Sequence, residues 1–158
     1  RSYRPLANIN RDAMAAFLHR MAGSPAYQAP STSLFTDVPV GSQFYTEIHW
    51  LAAQGITTGW DNGDRTFSFR PLEPIARDAM AAFLHREAGR PAVTLPATSP
   101  FQDVAPDNQF YAEIVWMQQS GIATGWAGND GRAYYAPLSP VARDAMAAFL
   151  ERSQREAV

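Results

Sequence analysis

The string Arg-Asp-Ala-Met-Ala-Ala-Phe-Leu occurs three times, beginning at Arg11, Arg77 and Arg143, at a constant interval of 66 residues. A fixed period of this size marks a repeat protein, so every other feature has to be read in register with it. Pro5, Pro71 and Pro137 precede the copies at one offset, each followed by Leu. A second block precedes the last two copies. Phe35-Thr-Asp37-Val38 matches Phe101-Gln-Asp103-Val104, and Phe44-Tyr45-x-Glu47-Ile48-x-Trp50 matches Phe110-Tyr111-x-Glu113-Ile114-x-Trp116. Gly55-Ile56-x-Thr58-Gly59-Trp60 then matches Gly121-Ile122-x-Thr124-Gly125-Trp126, and the first copy has no such block. The expected organisation is the last part of a first repeat (1–23), a linker (24–34), a second repeat (35–89), a linker (90–100), a third repeat (101–153) and a tail (154–158). A chain that starts inside a repeat reads as a piece of something longer.

Composition narrows the partners. With 46% hydrophobic and 18% charged residues the chain is ordinary for a globular protein, and a net charge of −2 gives no reason to expect nucleic acid. All 13 basic residues are Arg, which gives mild support to anion recognition by planar guanidinium groups. The absence of Cys removes disulfides and thiolate metal sites. No apolar run approaches the ~20 residues that span a bilayer, so membrane insertion is not expected.

Each full repeat reads as two helices joined by an irregular loop. The first spans about residues 42 to 54, and again about 108 to 120, with Phe44, Tyr45, Ile48, Leu51 and Ala52 on one face. The second is the shared octapeptide, whose Met14, Phe17, Leu18 and Met21 form a stripe repeated in the other copies. Three helices with one apolar face predict an all-α fold with a central three-helix bundle, and Ala15 and Ala16 leave room for close approach. Gly23 and Gly89 suit helix C-termini, and the Pro-, Ser- and Thr-containing stretches after them read as extended surface linkers.

Phe-x-Asp-Val, an aromatic helix, Gly-Ile-x-x-Gly, Phe-x-Pro, and then Ile-x-Arg before a Met-Ala helix form a pattern that resembles S-layer homology repeats. Phe35 to Val38, Gly55 to Gly59, Phe69-Arg70-Pro71 and Ile75-Ala76-Arg77 carry it in one repeat. Phe101 to Val104, Gly121 to Gly125, Tyr135-Ala136-Pro137 and Val141-Ala142-Arg143 carry it in the next. The resemblance covers nearly the whole chain apart from linkers and tail. It implies a pseudo-threefold module with the Arg-bearing helices at its centre, peripheral helices outside and irregular loops. It also implies an extracellular, non-catalytic anchor on a bacterial cell wall. The expected partner is secondary cell-wall polysaccharide or a peptidoglycan-linked glycan, gripped between repeats and often pyruvylated.

The residue chemistry agrees with that expectation. A pyruvyl ketal presents a carboxylate, and Arg at a helix start offers a charged fork beside free backbone N–H groups and the positive end of the helix dipole. Candidate ligand contacts are therefore Arg11, Arg77 and Arg143, with Trp60 and Trp126 for stacking and Gly59 and Gly125 for close backbone approach. Each has a plain structural alternative: a salt bridge or a hydrogen bond to a loop carbonyl for Arg, a Trp lid over the core, a positive-φ turn at Gly. The chain departs from the family's Ile-Thr-Arg-Ala-Glu, with Asn10, Ala76 and Ala142 at the Thr position and Ala13, Ala79 and Ala145 at the Glu position. That removes the capping box; Asn10 can still cap its helix, Ala76 and Ala142 cannot, and Asp12, Asp78 and Asp144 act through the dipole.

Other chemistry finds little support. Asp61-Asn62-Gly63-Asp64 and Gly128-Asn129-Asp130-Gly131 cluster oxygens but lack the late Glu of a calcium loop. His19 and His85 read as solvated residues near helix C-termini, Trp50 and Trp116 as packing residues, and Asp37 and Asp103 as caps of the following turn or loop holders. Glu47 and Glu113 recur, but no catalytic His constellation, nucleophile elbow or phosphate loop accompanies them, so neither catalysis nor a cofactor or metal is expected. The competing class is a structural or protein-interaction module, self-associating through an exposed apolar stripe on the first helix of the incomplete repeat.

Overall fold

The computed structural model describes residues 4–156. Five helices and two short ladders follow in chain order: α1 (Arg11–Met21), α2 (Tyr45–Ala53), β1 (Trp60–Asp61), β2 (Phe67–Ser68), α3 (Arg77–Glu87), α4 (Tyr111–Gln119), β3 (Trp126–Ala127), β4 (Ala133–Tyr134) and α5 (Arg143–Glu156). The helical class holds, with one addition. The loop read as irregular is an antiparallel hairpin, pairing Trp60 with Ser68 and Asp61 with Phe67, and again Trp126 with Tyr134 and Ala127 with Ala133. Two-residue strands are too short to display a period-2 pattern, which is why the sequence concealed them. Helix α5 also continues through Glu156, into the stretch read as a tail.

The chain divides into two compact units, one being Ile9–Ile75 and the other joining the residues before Ile9 to those from Ala76 onward. The division falls inside the second sequence repeat. Each unit therefore combines the octapeptide helix of one repeat with the front of the next. In the first unit α2 packs on α1, burying Met14, Leu18, Ile48 and Leu51; in the second, α4 packs on α3, burying Met80, Leu84, Ile114 and Met117. The stripe on α1 is consequently mostly covered: Met14 and Leu18 are inaccessible, Met21 is half-buried and Phe17 is 37% exposed.

The helix starts are built differently from expectation. Asn10 occupies the N-cap of α1 in extended conformation but its side chain makes no capping bond. Instead Arg11 N–H donates to Glu73 O (3.0 Å) and Asp12 N–H to Pro71 O (3.0 Å), while Ala13 N–H donates to the Asp12 carboxylate (2.6 Å). The pattern recurs at α3, with Ser139 O, Pro137 O and Asp78, and at α5, with Ala7 O, Pro5 O and Asp144. Main-chain carbonyls of a distant turn replace the missing capping box, which explains why Ala is tolerated at positions 76 and 142. The helix ends follow expectation, Gly23 (φ 90°) and Gly89 (φ 88°) closing α1 and α3 in left-handed conformation.

The linkers are tied down by residues that looked solvated. His19 is half-buried, its Nε2 bonded to Pro25 O at 2.9 Å and its ring edge-on to Trp50; His85 repeats this with Pro91 O and Trp116. Tyr45 and Tyr111 donate to Pro30 O and Pro96 O at 2.9 and 3.0 Å. His49 is fully buried, its Nδ1 bonded to Tyr45 O (2.8 Å) and its Nε2 accepting from Leu34 N–H (3.1 Å). A nitrogen that accepts carries no proton, so the ring is the neutral Nδ1–H tautomer. The third repeat has Val115 at the equivalent of His49 and Pro100 at that of Leu34. Where no N–H needs an acceptor, an apolar side chain suffices.

Candidate functional site

The first and second octapeptide Arg residues occupy the same kind of place, one in each unit. Arg11, the first residue of α1, is 5% exposed and donates from Nε to Phe69 O at 2.8 Å. That bond aims the guanidinium over the Trp60 ring, 4.2 Å from its centroid, and against Phe69 at 4.9 Å. Arg77 does the same with Tyr135 O (2.7 Å), Trp126 (4.3 Å) and Tyr135 (4.7 Å), and it also faces Phe149 at 5.2 Å. Charge over an aromatic face is worth ~0.5–2 kcal/mol, more where water is excluded, so the hairpin Trp serves as a shelf for the cation.

The accepting carbonyl is held by a carboxylate. Both oxygens of Asp37 accept, from Phe69 N–H and Arg70 N–H, each at 2.8 Å; Asp103 accepts from Tyr135 N–H (2.8 Å) and Ala136 N–H (2.7 Å). Arg70 (φ 59°) and Ala136 (φ 55°) are left-handed non-glycine residues, a conformation that costs on the order of 1 kcal/mol and persists where neighbours enforce it. The two-pronged carboxylate supplies that enforcement. Tyr135 adds a return bond, its hydroxyl donating to Arg77 O at 3.0 Å, and burial pushes its phenol further above the ordinary range. Of the two roles open to Asp37 and Asp103 in the sequence, capping the following turn or holding a loop, the bonds to Phe69, Arg70, Tyr135 and Ala136 are loop holding, and the loop held is the one orienting Arg. Phe69, Tyr135 and Arg70 were visible only as members of the Phe-x-Pro motif.

Burial lowers both Arg side chains. Arg11 comes down to about 10, with Arg70 adding like-charge repulsion and Glu73 and Asp37 opposing the fall; Arg77 is lowered by burial against Tyr135 and Asp103. Both stay cationic at neutral pH. Among the described residues, the two terminal nitrogens of Arg77 have no protein hydrogen-bond partner, although only 5% of the residue is exposed. Arg77 lines a groove of about 400 Å³ whose walls also include Trp126, Ser139, Pro140, Asp144 and Ala145.

The structure corrects the expectation for the helix start as an anion site. The first amides of α1 and α3 are all occupied, by turn carbonyls and by Asp12 or Asp78, so the guanidinium is the donor on offer and the free N–H groups are not. Burial raises both aspartates, with the local N–H bonds opposing. Arg143 is exposed, with no aromatic ring against it among the described residues. Gly59 (φ 70°) and Gly125 (φ 71°) have a protein reason for being glycine. A Cβ on Gly59 would stand 2.7 Å from the Phe35 ring and from Ser68 O, and one on Gly125 would stand 2.7 Å from the Phe101 ring. The hairpin-tip oxygens are engaged in turn bonds, Asp61 with Gly63 N–H, Asp64 with Thr66 N–H, and Asp130 with Arg132 N–H and the Tyr134 hydroxyl. Among the described residues no group of three or more His, Cys, Asp or Glu could hold a metal, and no helix is long and apolar enough to cross a membrane.

No curated protein matches the chain. A family model, that of the S-layer homology domain, matches residues 34–81, from the segment before Phe35 through the first turn of α3. Domains of that family are non-catalytic modules that anchor proteins at the cell surface by binding cell-wall polysaccharide. The matched segment contains α2, the first hairpin, the Asp37 clamp and Arg77. Residues 34–81 of this chain are therefore similar to an S-layer homology domain.

Proposed function

We infer that the chain is a cell-wall anchor that grips an acidic polysaccharide, with Arg77 and Trp126 as the principal contacts and Arg11 and Trp60 as a second set. The observation that carries this is the Arg77 side chain: nearly buried, fixed by one carbonyl, with two terminal nitrogens that have no acceptor among the described residues and a groove of about 400 Å³ beside it. A planar fork of that kind suits a carboxylate, such as that of a pyruvyl ketal, bound through two parallel hydrogen bonds. The Trp126 indole offers an apolar face to a sugar ring, and Ser139 and Asp144 offer acceptors for hydroxyl groups. Gly59 and Gly125 let the hairpin close against Phe35 and Phe101 and so place the two Trp rings. Two such places on one chain reinforce each other on a polymer, so modest single-site affinities suffice.

The test is sedimentation of the whole chain with purified bacterial wall sacculi, before and after chemical removal of their secondary polymers. Binding that disappears with the polymers is the expected result. Equal binding to stripped sacculi refutes the glycan reading.

A further inference from the structure

We propose that the two Arg–Trp places are not equivalent, and that one residue, Ala136 in place of Arg70, makes the Trp126 groove the one that stacks a sugar. The proposal rests on the glycan reading above and goes on to assign the stacking subsite within it. At the first hairpin two guanidinium groups stand over one indole, Arg11 and Arg70 each 4.2 Å from the Trp60 centroid. Arg70 is steadied by an exposed ion pair with Glu73 at 3.8 Å. At the second hairpin Arg77 is the one guanidinium over Trp126 among the described residues, because Ala136 cannot reach the ring and Ser139 replaces Glu73. The exposures follow, 36% for Trp60 and 54% for Trp126.

The chemistry of the two shelves then differs. A sugar ring binds an indole through its apolar C–H face and needs that face free of competitors. Trp126 carries one fixed cation over its ring, Arg77, and is the more exposed indole of the two. Trp60 already carries Arg70, so a stacking ring has to displace a favourable cation–π contact, while the paired cations suit a charged group that approaches without stacking. The carbohydrate subsite is therefore Arg77 with Trp126, and Arg11, Arg70 and Trp60 form an electrostatic contact on the same polymer.

Exchanging the deciding residue tests this. Ala136 and Arg70 share a left-handed backbone under the same Asp clamp, so Ala136→Arg asks for a conformation that Arg already adopts in this chain. The probe is the polysaccharide released from purified sacculi, titrated against the whole chain with intrinsic tryptophan fluorescence as readout. Ala136→Arg and Trp126→Ala are expected to weaken binding at least tenfold, and Trp60→Ala and Arg70→Ala, which touch only the electrostatic contact, less than threefold. A Trp60→Ala loss as large as that of Trp126→Ala, or an Ala136→Arg chain that binds like the parent, overturns the assignment while leaving the glycan reading intact. A parent chain that does not bind the polysaccharide overturns both. Circular dichroism of each variant separates loss of binding from loss of fold.

Discussion

Helices α3 and α5 open with the same eight residues and lie in the same compact unit, yet they present them in opposite ways. In α3, Arg77, Asp78, Ala81 and Leu84 are buried; in α5, Arg143, Asp144 and Ala147 are exposed and Leu150 is half-buried. The difference lies in what is laid over the helix. Residues 126–136 bring Trp126, the Tyr135 carbonyl and the Asp103-held turn onto Arg77, and the described residues bring only the carbonyls of Pro5 and Ala7 to the start of α5. The octapeptide is half a site. The next hairpin makes it whole.

The sharpest way to break this comparison is Asp103→Ala. It removes two carboxylate bonds to backbone and frees the strained turn at Ala136, and should lower the unfolding free energy by about 3 kcal/mol in urea titrations. Asp144→Ala removes a single exposed bond and should cost under ~1 kcal/mol. Comparable losses would mean that the hairpin does not govern the Arg77 place. Next in size is binding to sacculi, where Arg77→Ala should lose about 30-fold, ~2 kcal/mol, and Arg143→Ala no more than about twofold. Equal losses in the two would dissolve the distinction between α3 and α5.

A smaller effect contrasts the two solutions to one buried amide. His49→Val strands Leu34 N–H and should destabilise by about 1–1.5 kcal/mol. Adding Leu34→Pro copies the third repeat and should recover most of that in a double-mutant cycle; additive losses would refute the pairing. The smallest concerns Glu87, whose counterparts in the other copies are Met21 and Ser153. Burial pushes its carboxyl from 4.5 up to about 7, and its Oε2 is buried without a partner. A raised acid binds its proton more tightly when folded, so its stabilising contribution is complete below about 4.5 and lost as pH rises through about 7. Glu87→Gln should therefore gain on the parent between pH 5 and 8, by under ~1 kcal/mol once solvent screening is allowed for, visible as a melting-temperature gap that widens with pH. A gap constant with pH would show that Glu87 is solvated.

Much of this was legible from residues alone. The 66-residue register located the helices, and the motif order identified the repeat and the Arg and Trp residues that meet in space. What escaped was whatever depends on pairing across repeats. Arg11 gave no sign that its carbonyl partner is Phe69, because a main-chain acceptor leaves no mark on residue type. Asn10 looked like a cap because its side chain could serve, but carbonyls 71 and 73 arrive first. His19 and His85 looked solvated because a linker bound through its own backbone is indistinguishable in sequence from a free one.

The same cross-repeat carbonyls set an order of events in time. A chain emerging from its N-terminus cannot finish the start of α1 until the turn carrying Pro71 and Glu73 has appeared, nor that of α3 until Pro137 and Ser139 follow. Helix α5 follows α3 and finds Pro5 and Ala7 already present. Contacts of such long sequence separation are slow to form and cooperative once formed. Each Arg–Trp shelf is thus completed only after the hairpin and turn that follow its octapeptide have emerged, so a partly emerged chain carries an octapeptide without its completed shelf.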